Sequence, residues 1–289
     1  MRAQQEVAMS LSEYEGYVGI DIGGQSIKVG TIRDGELLTR DIETPPDYAV
    51  AREQMLSAAT ELAGGKPKGL GIGTPGPIDW RTGFLYWTPN IPWKNVSYLE
   101  LGEALECPVY VDNDANVAGL AEAVLGAGKD YRIVAGFTLG TGIGYFVVMD
   151  GHIYHGKLDV EGGHQVLNPE GPLCGCGARG CLEAYASATA IQARTGKEPE
   201  DIDDPAFWAE IAGYLAWGIT NVTTLVCPEV FVLAGGMIKR GETLFAPLRE
   251  KLSQMLKIVP PPPVKPAELG HRAGVYGAIV LAKRGHRVE

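Results

Sequence analysis

The sequence predicts an α/β protein built as two related domains around a cleft. Three observations carry that expectation. Short apolar runs of strand type alternate with longer helical ones. A β-rich block opens on a glycine turn twice, at Asp21–Gly24 and at Gly140–Gly144. The 289 residues also suffice for two domains of ordinary size. No sequence-level repeat accompanies the two turns, so the relation between the domains is read from layout alone.

In chain order, Tyr17–Ile22 is a short apolar run ending at Gly23–Gly24, and Ile27–Ile32 follows with partial alternation. Together they predict a β-hairpin, with Asp34–Gly35 turning into a further strand. Val50–Leu62 has helical spacing, and Gly69–Gly73 reads as a buried strand running into the turn Thr74–Pro77. Asp79–Pro92, rich in turn formers and aromatics, reads as an irregular surface loop. A short strand at Val109–Val111 leads through Asp112, Asn113 and Asp114 into a helix over Ala115–Leu125. The second β-rich block runs from Arg132 to Met149 and turns at Asp150–Gly151. Phe207, Ile211, Leu215, Ile219 and Val222 recur at the spacing of one helical face. Val230–Leu233 predicts a strand broken at Gly235–Gly236, followed by a helix over Leu244–Leu256. Pro260–Pro263 is a rigid connector, and Ala273–Lys283 a last helix rich in small residues. The expected division is a flexible tail over 1–16, a small α/β domain over 17–115 joined by helix 273–284, and a large α/β domain over 116–272.

Hydrophobic residues make up 45% and charged residues 21%, the composition of a soluble globular protein with a substantial core. Lys and Arg number 25 against 35 Asp and Glu, a net charge of −10. That balance argues against a nucleic-acid partner, which needs a basic face. It leaves a nucleotide site open, because a few backbone N–H groups hold phosphate locally. No apolar run approaches the roughly 20 residues that cross a bilayer, and the first residues lack the apolar stretch of a secretory signal. The expected compartment is the cytoplasm.

Asp21-Ile22-Gly23-Gly24 follows a buried strand. Glycine lets backbone N–H groups approach an oxyanion closely, and the neighbouring aspartate can hold a hydrated magnesium ion. Gly140-Thr141-Gly142 repeats this logic and adds a hydroxyl. A tight hairpin turn accounts equally well for either motif alone. Neither matches the lysine-bearing P-loop or the dinucleotide fingerprint, whose glycines open a helix. Two such turns in separate domains fit a triphosphate lying across the cleft. Asp112 or Asn113 fits a helix N-cap, but one cap does not need three polar residues in a row. Phosphoryl transfer needs a carboxylate to take the proton of the attacking hydroxyl, and Asp114 is the candidate.

Glu161-Gly162-Gly163-His164 precedes a run in which Cys174, Cys176 and Cys181 are separated by glycines. His164 and the three cysteines form a full tetrahedral zinc set with no open position, so the metal is expected to be structural. Buried free thiols beside an unrelated histidine are the alternative. Cys107 and Cys227 stand alone next to prolines and read as inert thiols; His271 and His286 have no partner that spacing identifies. Trp80, Trp87 and Trp93 suit aromatic loop packing better than sugar stacking.

From Tyr17 to the final helix, these residues resemble the ROK family (repressors, open reading frames, kinases). The specific part is Glu161–His164 followed by Cys-x-Cys-Gly-x-x-Gly-Cys-x-Glu, ending at Glu183. Asp21–Gly24, Gly71–Gly76, Asn113–Asn116, Gly140–Gly142 and Gly235–Gly236 support it. The resemblance implies a two-domain actin-like (ribonuclease-H-type) fold and a homodimer. It implies an ATP-dependent hexose kinase of glycolytic type using Mg2+, with Asp114 taking the proton of the sugar 6-hydroxyl. Asn113, Glu161, His164 and Glu183 would bond the sugar hydroxyls near Gly76, with His164 also binding zinc. Asp21, Gly23, Gly24, Gln25, Gly140, Thr141 and Gly142 would surround the phosphates, and Gly235 and Gly236 would lie near the adenosine.

The sequence departs from the family's pattern in two places. Gln25 and Ser26 stand where threonine and lysine are usual, a change that leaves polyphosphate open as donor, and Ala234 replaces a common glycine. The resemblance favours glucose, with N-acetylmannosamine, N-acetylglucosamine, allose and fructose as alternatives, and Asp79–Pro92 is the loop expected to choose between them. Sugar-responsive repressors of the family carry an N-terminal helix-turn-helix domain, for which 16 residues before the first strand are too few.

Overall fold

The structure, a computed structural model, describes residues 11–88 and 90–287. It divides into two compact units. The first takes in Met1–Val124, Lys157–Asp159 and His271–Glu289, and the second Leu125–Gly156 and Val160–Gly270.

The first unit opens with β1 (Tyr17–Ile22), β2 (Ser26–Arg33) and β3 (Glu36–Glu43), an antiparallel meander, followed by α1 (Tyr48–Ala63) and β4 (Gly69–Thr74). Helix α1 starts where the Asp47 carboxylate accepts the Ala49 N–H at 2.9 Å, and it ends at Gly64, whose φ of 69° suits a left-handed cap. Three short strands follow, β5 (Ile78–Asp79), β6 (Phe84–Trp87) and β7 (Lys94–Ser97). Then come α2 (Leu99–Leu105), β8 (Val109–Asn113) and α3 (Asp114–Val124). The main sheet has the order β3-β2-β1-β4-β8, with β4 parallel to both β1 and β8. Every residue of β4 is buried, as expected for a parallel strand covered on both faces, which removes the polar alternation.

The second unit contains β9 (Ile133–Leu139), β10 (Ile143–Met149) and β11 (His152–Ile153). These are followed by α4 (Leu182–Ala186), α5 (Ala188–Thr195) and α6 (Pro205–Val226). Strand β12 (Val230–Gly235), α7 (Glu242–Met255) and β13 (Val264–Pro266) complete it. Its sheet has the order β11-β10-β9-β12-β13, antiparallel for the first three strands and parallel from β9 to β13. Strand order and sense therefore repeat those of the first unit, and the relation expected from the two glycine turns is present in the topology. Helix α6 packs Trp208, Ile211, Leu215 and Ile219 into the core against Phe137, Leu182 and Phe231.

The chain closes with α8 (Ala273–Arg284), which packs on β1, β4 and α3 in the first unit. The approach is close. A β-carbon on Gly71 would stand 1.9 Å from the Ala278 carbonyl oxygen, and one on Gly19 2.6 Å from that of Val275.

Three expectations need correction. Asp79–Pro92 is not an irregular loop, because β6 and the end of β5 lie within it, and β6 pairs with both β5 and β7 in a three-stranded sheet. Ile78, Leu85, Ile91 and Val96 supply a buried apolar face that turn formers obscure in the sequence. The expected flexible tail is ordered over its described part: Leu11 and Tyr14 are buried, and the Lys68 ammonium bonds the Glu15 carbonyl at 2.8 Å. Residues 1–10 lie outside the described residues. Finally, α3, expected to open the larger domain, belongs to the first unit because it packs against α8 and β4. No helix among the described residues is long and apolar enough to cross a membrane.

Candidate active site

In the first unit, strand register decides which polar groups meet. Asp21 of β1 pairs with Gly73 of β4, Gly73 pairs with Asp112 of β8, and Thr74 pairs with Asn113. These residues line the carboxyl ends of three parallel strands, where open α/β sheets present ligand sites. The turn after β1 is closed by Gly23 N–H to the Ser26 carbonyl at 2.9 Å, leaving Gly24 and Gln25 exposed. Asp21 sits so close to Gly274 that a β-carbon there would stand 2.2 Å from a carboxylate oxygen. Burial pushes the Asp21 carboxyl up to about 6, the nearby Asp114 adds to that, and Lys28 opposes it. A cation bound there would relieve both effects.

Asp112, Asn113 and Asp114 divide their work. Asp112 is fully buried at the end of β8 and is no cap. One of its oxygens accepts the Asn113 N–H at 2.8 Å and the Asn116 amide at 2.9 Å, and the other lies 3.0 Å from His286 Nε2. His286, which spacing left without a partner, therefore has one. Asn113 Oδ1 accepts the Ala115 N–H at 2.9 Å, and the side-chain amide faces Gly76, 3.2 Å from where a β-carbon would stand. Asp114, the first residue of α3, is exposed. Its Oδ1 also accepts the Ala115 N–H, at 2.8 Å. Of the three tryptophans, Trp93 is buried with its indole N–H on the Pro45 carbonyl at 2.9 Å, Trp80 packs edge-on to His286, and Trp87 is exposed.

In the second unit the Gly140–Gly142 turn joins β9 to β10 and is closed by Gly140 N–H to the Gly142 carbonyl at 3.0 Å. The first amides of α5 hold it from one side: Ala188 N–H reaches the Gly140 carbonyl at 2.9 Å, and Thr189 N–H that of Thr141 at 3.3 Å. Ser187 caps that helix through Ala190 N–H at 3.1 Å. Glu183 holds the turn from the other side, its Oε2 accepting the Ile143 N–H at 2.9 Å. Gly235, at the end of β12, pairs with Leu139 and has a φ of 91° that favours glycine. A cavity of about 450 Å3 opens beside Gly140, Thr141 and Gly236, with Lys239, Arg240 and Glu200 among its walls. None of those three side chains carries a sequence signal of its own.

Glu161 is exposed and begins a short turn, Gly162–His164, that presses on β10. A β-carbon on Gly163 would stand 1.9 Å from the Ile143 carbonyl oxygen. The turn delivers His164 to the cysteines, and the ligating atoms of His164, Cys174, Cys176 and Cys181 all lie within 4.8 Å of one another. Cys174 Sγ lies 3.5 Å from His164 Nδ1, and Cys176 Sγ lies 3.7 Å from Cys181 Sγ. Zinc–sulfur bonds of about 2.3 Å and zinc–nitrogen bonds of about 2.05 Å in a tetrahedron require edges of roughly 3.5 and 3.8 Å, so the four groups fit that ion. The remaining Glu183 oxygen, Oε1, lies 3.8 Å from Cys174 Sγ and 3.9 Å from His164 Nδ1.

These motifs fall within a single match: the profile of the ROK family covers residues 17–285. The chain belongs to the ROK family. A glucokinase from Thermotoga maritima is 34% identical over 308 aligned positions, covering 92% of this chain and 96% of the relative. Among solved structures, a ROK hexokinase from Thermus thermophilus superposes with a TM-score of 0.84 at 33% identity, over 92% of this chain and 97% of that one. A ROK glucokinase from Streptomyces griseus, crystallised with glucose and AMPPNP, gives 0.75 at 29% identity over 93% and 99%. The fold of this ROK chain is accordingly the two-domain actin-like α/β fold.

Proposed function

We propose that this chain is an ATP-dependent hexose kinase that converts glucose to glucose 6-phosphate. The observation that carries the reading is Asp114, exposed at the carboxyl end of β8 and close enough to the half-buried Asp21 to raise its proton affinity. A phosphoryl-transfer site needs that pair: one carboxylate to take a proton, another whose charge a magnesium ion completes. Full-length similarity to glucokinases supports it.

In this reading Asp114 accepts the proton of the sugar 6-hydroxyl as that oxygen attacks the γ-phosphorus, and ADP leaves with the bridging oxygen. Asn113, Glu161, His164 and Glu183 take the sugar hydroxyls, with Gly76 leaving room beside Asn113. Gly23, Gly24, Gln25, Gly140, Thr141 and Gly142 offer donors to the phosphates, and Asp21 holds hydrated Mg2+. The cavity beside Gly235 and Gly236 takes the adenosine. Its wall carries the carboxyl residues Glu198, Glu200 and Asp203 beside Lys239 and Arg240, which suits a nucleoside better than a long polyanion. Zinc held by His164, Cys174, Cys176 and Cys181 fixes the wall that carries His164 and Glu183. The working form is a cytoplasmic homodimer.

The test is ADP release with ATP and magnesium over a panel of hexoses and N-acetylhexosamines, with polyphosphate as the competing donor. Turnover on glucose above the others is expected. Turnover with polyphosphate and none with ATP would overturn the donor assignment. Binding of sugar with no turnover under either donor would overturn the kinase.

A further inference from the structure

We infer that Glu183 is a positioning residue that couples the zinc knuckle to the phosphate-binding turn, so that metal and nucleotide bind cooperatively. The inference rests on the kinase reading and extends it, since that reading gives Glu183 only a sugar contact.

The coupling follows from one carboxylate with two neighbourhoods. Oε2 accepts the Ile143 N–H at 2.9 Å, where the Gly140–Gly142 turn hands over to β10. Oε1 lies 3.8 Å from Cys174 Sγ and 3.9 Å from His164 Nδ1, against two of the four metal-ligating groups. The carboxylate is largely sheltered, its side chain 24% exposed. The turn has no slack toward it, because a β-carbon on Gly142 would stand 2.5 Å from Oε2.

The backbone repeats the connection. Cys181 is a ligating residue and also the residue before α4, and Glu183 is the second residue of that helix. A few residues on, the first amides of α5 bond the carbonyls of Gly140 and Thr141. The stretch from Cys181 to Thr189 thus carries one ligand of the knuckle, the carboxylate that ends the turn, and the amides that hold its carbonyls. An ion that fixes Cys181, Cys174 and His164 therefore fixes the turn whose N–H groups face the phosphates. Without the ion the turn must be ordered at the nucleotide's expense. Linkage makes the effect reciprocal: whatever factor the metal adds to nucleotide affinity, nucleotide adds to metal affinity.

The experiment measures zinc affinity by chelator competition, with and without AMPPNP, in the absence of sugar so that no sugar contact intervenes. It compares the parent with Glu183→Ala and Glu183→Gln. In the parent, AMPPNP is expected to tighten zinc binding about fivefold or more, within the usual range of allosteric couplings. Glu183→Gln keeps an acceptor for the Ile143 N–H and should retain most of that factor; Glu183→Ala should lose it while still binding zinc. Should the alanine variant fail to fold, Gly142→Ala, whose methyl displaces the carboxylate from the turn side, is expected to show the same loss. Parent zinc affinity indifferent to AMPPNP, while AMPPNP binds, would overturn the coupling and leave the kinase standing. Equal coupling in parent and Glu183→Ala would assign it to another path and overturn the role of Glu183. A parent that binds no AMPPNP would overturn the kinase reading and the coupling together.

Discussion

Replacing Asp21 with asparagine isolates what the fold gives up to keep a carboxylate at the end of β1. The carboxyl is raised from 3.8 to about 6, first by burial and then by Asp114. A folded value above the unfolded one means that the folded protein prefers the protonated acid. Below pH 3.8 both states are protonated and the site costs nothing. As pH rises toward 6 the unfolded chain ionises freely while the folded one resists, and above 6 the cost is constant. At 1.36 kcal/mol per unit the ceiling is about 3 kcal/mol at neutral pH, and solvent screening at a partly exposed group lowers it to about 1–3 kcal/mol. Asp21→Asn removes the charge with little change in shape. It is expected to be more stable than the parent by that amount at pH 7.5, with the advantage shrinking toward zero near pH 4. About 2 kcal/mol corresponds to a Tm gain of roughly 4–8 °C. Thermal melts in buffer without added magnesium or nucleotide, at both pH values, read it directly. The same variant should lose most turnover, since in the proposed reading Asp21 holds the magnesium ion. A variant no more stable than the parent at pH 7.5, or one whose advantage persists at pH 4, would refute the electrostatic account of this site.

Asp114→Ala is expected to lower kcat by about 10²–10⁴ with glucose binding and Tm little changed, because the side chain is exposed and the Ala115 N–H it accepts is also bonded to Asn113; steady-state kinetics beside calorimetry would separate the two. His286→Ala takes a partner from the fully buried Asp112, and chemical denaturation should show a loss of about 1–3 kcal/mol. Gly71→Ala drives a methyl into the backbone of α8 and should cost more than about 3 kcal/mol or abolish soluble expression.

Much of the fold was legible because its strongest signals are local. The strands flanking Gly23–Gly24 and Gly140–Gly142 are apolar runs punctuated by glycine, and α6 repeats its core residues over many turns. The gathering of His164, Cys174, Cys176 and Cys181 was legible for a different reason: four residues of metal-ligating type crowd into a short stretch. The β5–β7 sheet was hidden because Pro89, Asn90 and Pro92 dominate the composition while its buried face is spread over single residues. The partnership of Asp112 with His286 was invisible because it joins positions far apart in the chain through a fold not yet formed. Glu183 was found by its motif, but its bond to Ile143 N–H depends on where α4 docks, and spacing does not encode docking.

The discontinuity of the first unit bears on how the protein is made. During synthesis β1, β4 and α3 emerge early, yet the helix that packs on all three follows only after the whole second unit. Gly19 and Gly71 lie bare against that helix, so until it arrives the nascent sheet presents a glycine-lined apolar face with nothing upon it. The second unit, whose sheet and helices are complete by Gly270, needs no such wait. Translation that stalls or terminates shortly before Ala273 therefore leaves one half able to close its core and the other with an uncovered face, the kind of surface that recruits chaperones and aggregates. The half that carries Asp114 is thus completed only once Ala273–Arg284 has been made, after the whole of the second unit.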